Sequence, residues 1–139
     1  MPPSPRKRSA VRAIDTNILV RFLTADDAKQ ANAARKVLEG GNVFVAVTVI
    51  LEAEWVLRAG YGFSRTQIAV ALRAVGGLPG IFLEDPSVIA QALEWLEDGM
   101  DFADALHLAQ SGHCSAFVTF DRKLAKLAKG RSQISVQLP

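Results

Sequence analysis

Cysteine is nearly absent from this chain: Cys114 is the only one in 139 residues. There is therefore no internal disulfide and no thiolate-based metal site. The apolar setting His113-Cys114-Ser115-Ala116-Phe117 predicts a small buried side chain rather than a reactive thiol. A large excess of charge is also lacking, since 16 basic and 14 acidic residues leave a net charge of +2 and a pI near 8.9. That balance permits a nucleic-acid partner without requiring one, because phosphate binding needs local rather than global positive charge. No apolar run approaches the roughly 20 residues that span a bilayer. The basic, proline-rich start from Met1 to Ser9 lacks the apolar stretch of a secretory signal. It reads as a flexible basic extension over residues 1–10, with a cytoplasmic setting expected for the whole.

Repeats, low-complexity blocks and Gly/Ser linkers are missing too, so residues 11–139 read as one domain. With 50% hydrophobic and 22% charged residues the chain is no disordered protein, and its length allows a proper core. Short apolar runs at Val11–Asp15, Asn42–Val47, Ile81–Leu83, Ala116–Thr119 and Ile134–Leu138 predict strands. Between them lie helical patterns at Thr16–Leu23, Asp26–Glu39, Thr48–Arg58, Ser64–Val75, Pro86–Glu97, Phe102–Ser111 and Arg122–Ala128. Thr48 and Ser64 are the expected N-caps of their helices, and Pro86 suits a first turn. Strands alternating with helices imply a three-layer α/β/α sandwich with a parallel central sheet covered on both faces.

Four carboxylates then need an explanation: Asp15, Glu52, Asp104 and Asp121. Asp15 and Asp121 end apolar strands and precede helices, at the side of a parallel sheet where ligands bind. Each also suits a plain helix N-cap. On the next helix, Glu52 has Val49, Trp55 and Val56 as helical neighbours, which places it on an apolar stripe. Glu54 precedes Arg58 by four residues, the favourable order for an ion pair, and reads as the solvated face. Asp101 suits a cap, while Asp104, one turn inside, suits a ligand; His107 on the same face is more often structural. Clustered acids without partners repel and lose hydration, and a hard divalent cation compensates both. A basic rim for substrate has candidates in Arg21, Arg58, Arg65, Arg122 and Lys123.

The segments Ile14-Asp15-Thr16-Asn17, Leu51-Glu52-Ala53-Glu54-Trp55, Asp101-Phe102-Ala103-Asp104-Ala105 and Val118-Thr119-Phe120-Asp121 resemble, in that order, the PIN domain. More narrowly they are similar to VapC-type toxins of toxin–antitoxin pairs. The resemblance implies an endoribonuclease that needs Mg²⁺ or Mn²⁺. It also implies a metal pocket of Asp15, Glu52, Asp104 and Asp121, assisted by Asn17, Asp101 and Thr119. It further implies a homodimer held by a cognate antitoxin, whose tail enters the active-site groove. Independently, Val70, Ala71, Ala74 and Val75, with Trp55 or Leu57, look like apolar surface for a partner. Two other readings stay open: an acid-pocket module that binds without cutting, and a Mg²⁺-dependent Asp phosphotransfer domain. The second lacks its Asp-x-Asp signature, because Asn17 holds the later position.

Overall fold

The computed structural model describes residues 10–139; the extension expected over residues 1–10 lies, apart from Ala10, outside the described residues. Five short strands and seven helices follow in the order β1 (Arg12–Ala13), α1 (Thr16–Thr24), α2 (Ala28–Glu39), β2 (Val43–Val45), α3 (Val47–Tyr61), α4 (Arg65–Gly76), β3 (Ile81–Leu83), α5 (Pro86–Glu97), α6 (Phe102–Gln110), β4 (Ala116–Val118), α7 (Arg122–Ala128) and β5 (Ser135–Gln137). Every strand pair is parallel, as helical crossovers require. The pairing forms two ladders, β1-β2-β3 and β4-β5, with helices packed around them in an α/β/α arrangement.

In the first ladder Val43 and Val45 are fully buried, and Ile81 pairs with Val43. The second ladder is less covered than a two-face burial predicts: Phe117 and Val136 are half-buried, and Val118 is 61% exposed. The main core is helical, with Leu19, Leu38, Ile50, Leu57, Leu72, Leu93, Leu96 and Phe102 all essentially inaccessible.

Local caps set most helix starts. Ser64 accepts from Gln67 N while the Gln67 side chain accepts from Ser64 N, closing a capping box. Thr48, expected to cap α3, is instead inside its first turn. Ala46 occupies the cap position and supplies no side-chain bond. The Val47 amide donates to Glu84 Oε1 at 2.8 Å, so the cap comes from just after β3. Helix α3 also runs three residues beyond Arg58 and passes through Gly60; Gly62, at φ +69°, ends it.

Gly41 (φ +71°) and Gly80 (φ +74°) face each other where β2 and β3 begin, and Val43 N donates to Gly80 O at 2.9 Å. A Cβ on Gly80 would lie 2.7 Å from the Gly41 Cα. The backbones approach this closely because Gly80 carries no side chain; a Cβ on Gly41 would make only an ordinary contact at 3.7 Å.

Cys114, expected to be buried, is exposed. It lies in the turn between α6 and β4. The apolar residues that follow it face inward only from Ala116, where the strand begins.

Candidate active site

The acids enter the site as helix caps. Asp15 Oδ1 accepts from Ile18 N at 2.9 Å, Asp121 Oδ1 from Leu124 N at 3.0 Å, and Asp101 Oδ2 from Asp104 N at 3.1 Å. The plain capping role is thus real for all three. Each spends one carboxylate oxygen on its helix, and the other has no hydrogen-bond partner among the described residues. Thr119 Oγ1 accepts from Asp121 N at 3.0 Å and fixes the turn that presents this acid.

Asp101, Asp104 and Asp121 line one cavity of about 230 Å³, together with Arg65 and Lys123. Asp101 also borders a second cavity with Glu52, and Glu52 borders a third with Asn17. Asp101 is thus common to the first two cavities and Glu52 to the last two. Asp15 lines none of the three, but it directly precedes Thr16 in the third. Asp104 is the half-buried member of the set. Burial raises its carboxyl above the ordinary range, the charges of Asp101 and Asp121 raise it further, and His107 opposes them. His107 itself is exposed.

The donor set is all oxygen and anionic, which suits Mg²⁺ or Mn²⁺. Among the described residues, however, no three acidic, histidine or cysteine side chains converge closely enough to enclose one ion. Asp101, Asp104 and Asp121 line one cavity and Glu52 and Asn17 line the other two, whereas Asp15 lines none of them.

Residues 13–130 match the PIN domain. The chain belongs to the PIN domain family. Members of this family are usually nucleases and typically use divalent metals, so a nuclease-type function follows for the PIN domain described here. A comparison with curated proteins found no match. No described helix is long and apolar enough to cross a membrane.

Two sequence expectations about this PIN domain are corrected. Glu54, read as solvated, is the one buried charged residue among those described, at 3% exposure, whereas Glu52 is exposed. The buried stripe of α3 runs through Val47, Ile50, Ala53, Glu54 and Leu57. Trp55, counted toward the stripe that was to carry Glu52, is 59% exposed. Glu52 keeps its place in the site through the cavities it lines, not through burial. The expected pair does form, Arg58 Nε donating to Glu54 Oε2 at 2.9 Å. Because the Glu54 carboxylate is buried, removing its partner costs more than the few tenths of a kcal/mol typical of an exposed helical pair. Arg58→Ala is expected to cost about 1–3 kcal/mol in urea unfolding, the range for stranding a buried polar group; a loss below about 0.5 kcal/mol would place this ion pair with ordinary surface pairs.

The second correction concerns apolar surface: Val75 and Leu57 are buried at 1% and 0%. Trp55 and Val70, at 59% and 60%, remain exposed.

Most of the expected basic rim is already engaged. Arg21 donates to Asp26 and Gln30, and Tyr61 donates to Asp26 at 2.6 Å. The Tyr61 and Arg21 hydrogen bonds hold the Asp26 carboxyl down at about 2. Arg65 donates to the carbonyls of Leu96 and Met100 at 3.0 and 2.7 Å, fixing the loop that leads to Asp101. Arg122 and Lys123 are exposed and form no ion pair among the described residues. Sequence reasoning passed over Phe120, which is 87% exposed beside Asp121. An aromatic flanked by Thr119 and Asp121, between a strand and a helix, was the available signal.

Proposed function

We propose that this PIN domain is a Mg²⁺- or Mn²⁺-dependent endoribonuclease and the toxin of a type II toxin–antitoxin pair, working in the cytoplasm. The observation that supports the nuclease reading is the cavity lined by Asp101, Asp104, Asp121 and Lys123, which shares Asp101 with a second cavity that Glu52 lines. Asp15, Asp104, Asp121 and Glu52 would hold the ion, with Asn17, Asp101 and Thr119 supporting them. A bound divalent cation supplies positive charge against phosphoryl oxygens and acidifies water. Arg122 and Lys123 draw the phosphate backbone to a pocket that is otherwise negative. Glu52, the exposed acid, would complete the shell of the ion or position the attacking water, whose proton passes to solvent. The water oxygen bonds to phosphorus, the P–O ester bond breaks, and the departing oxygen takes up a proton from solvent.

The toxin assignment rests on the four motif segments in order. Exposed Trp55 and Val70 on α3 and α4 support a homodimer, and the antitoxin would place a basic side chain at the acidic cavity in competition with the metal. Light scattering should give a mass near twice 15.0 kDa.

The direct test incubates the full chain with mixed RNA in Mg²⁺ and in EDTA. Cleavage is expected with the ion alone, and Glu52→Gln should lower it by about 100-fold or more with the circular dichroism unchanged. RNA binding without cleavage under any divalent ion would instead favour an acid-pocket binding module.

A further inference from the structure

We infer that Phe120, one residue before Asp121 of the acidic cavity, is a stacking platform for a base of single-stranded RNA. The inference deepens the nuclease reading and rests on it for the identity of the polymer. Phe120 is the most exposed of the large hydrophobic side chains described, at 87%. A ring in water contributes almost nothing to the core, so folding does not explain it. Its backbone is nonetheless held on both sides. Thr119 N donates to Gln137 O at 2.9 Å, Asp121 N to Thr119 Oγ1 at 3.0 Å, and Leu124 N to Asp121 Oδ1 at 3.0 Å. A turn tied in this way presents the ring with little backbone entropy left to lose on binding.

The position is equally specific. Phe120 immediately precedes Asp121, which lines the cavity of Asp104, and Lys123 lines the same cavity. Arg122 and Lys123 follow it, exposed and outside any ion pair among the described residues. An exposed aromatic followed in the chain by two exposed cations is the combination that a single strand uses, the base on the ring and its phosphates on the charges. A duplex has no free base face to offer. Val118 and Leu138 are also exposed, at 61% and 41%, but the three residues after Phe120 are Asp-Arg-Lys, and this charge suits a phosphate backbone better than the continuous apolar patch a protein partner would want.

The test uses the full chain carrying Asp104→Asn, so that RNA is bound without being consumed. The probes are a labelled single-stranded oligoribonucleotide of mixed sequence and the same strand annealed to its complement. Phe120→Leu should weaken single-strand binding about 5- to 100-fold, and Phe120→Trp should restore it, with duplex binding unmoved. Equal affinities for the Phe and Leu forms would overturn the inference. So would an equal loss on the duplex, or a Phe120→Leu effect confined to the mass in solution. In chains with Asp104 intact, the loss should fall on KM. Cleavage with KM unmoved by Phe120→Leu would remove this inference and leave the nuclease reading standing. Phe120-dependent binding by a wild-type chain that never cuts would do the reverse, and no RNA binding by any form would remove both.

Discussion

Asp104→Asn is expected to lower RNA cleavage by at least about 100-fold while making the metal-free protein more stable. The first half follows from its place. Loss of a residue that merely orients a metal ligand costs about 10- to 100-fold, and Asp104 is proposed as a ligand itself. The second half follows from its carboxyl, raised by burial and by the charges of Asp101 and Asp121. A raised folded-state value means that the native protein holds this proton more tightly than the unfolded chain does. The stability it contributes is complete below the ordinary carboxylate value of 3.8 and is lost as pH rises through the folded value. At neutral pH the ionised Asp104 is therefore a cost, which a neutral amide of the same shape removes. In EDTA at pH 7 the Asn variant should melt higher than the wild type. Added Mg²⁺ should then narrow or reverse that gap, because only the acid gains from the ion. A variant that melts lower in EDTA, or that still cuts RNA at the wild-type rate, would take Asp104 out of the metal pocket.

Gly80→Ala should be the most damaging single methyl in the chain, at about 3–5 kcal/mol. Two costs add. A left-handed backbone is unfavourable for alanine by roughly 1–2 kcal/mol. The new Cβ would also sit 2.7 Å from the Gly41 Cα and 3.1 Å from the Asn42 nitrogen. Both are backbone atoms, which cannot rotate away. Separating the two turns would pull on the bond from Val43 N to Gly80 O and on the start of the β2–β3 ladder. Gly62→Ala is the matched control, since Gly62 has a similar φ of +69° and nothing within 4 Å of its would-be Cβ. It should lose about 1 kcal/mol. Urea midpoints at constant m compare the two directly; equal losses would show that the close approach contributes nothing.

Features coded by neighbouring residues were legible before any coordinates. The Ser64–Gln67 capping box, the Pro86 start and the bounds of α7 are all written within one or two turns of sequence. The capping roles of Asp15 and Asp121 were legible too, although β1 and β4 stop at Ala13 and Val118, two and three residues short of the acids expected to end them. What escaped depends on distant segments. The α3 cap comes from Glu84, 37 residues away, so no pattern around Thr48 could reveal it. The Glu52 and Glu54 faces were exchanged because Trp55 was counted as core, and Leu57 and Ile50 set the phase of the buried stripe instead. Nothing local says which of two apolar stripes finds a neighbour. Cys114 escaped for a related reason, its apolar followers belonging to a strand that had not yet begun.

Asp15, Asp101 and Asp121 each start a helix, and under the proposed function each also serves the metal pocket. Asparagine satisfies the first demand about as well as aspartate, whereas alanine satisfies neither. Loss of chemistry and loss of fold are consequently separable at these positions by a one-atom exchange. A lineage released from the need to cut RNA would drift first to asparagine or serine at these three sites and keep its shape. Among relatives of this chain, such substitutions would mark retired enzymes that still fold, and alanine or leucine there should be scarce in both the working and the retired.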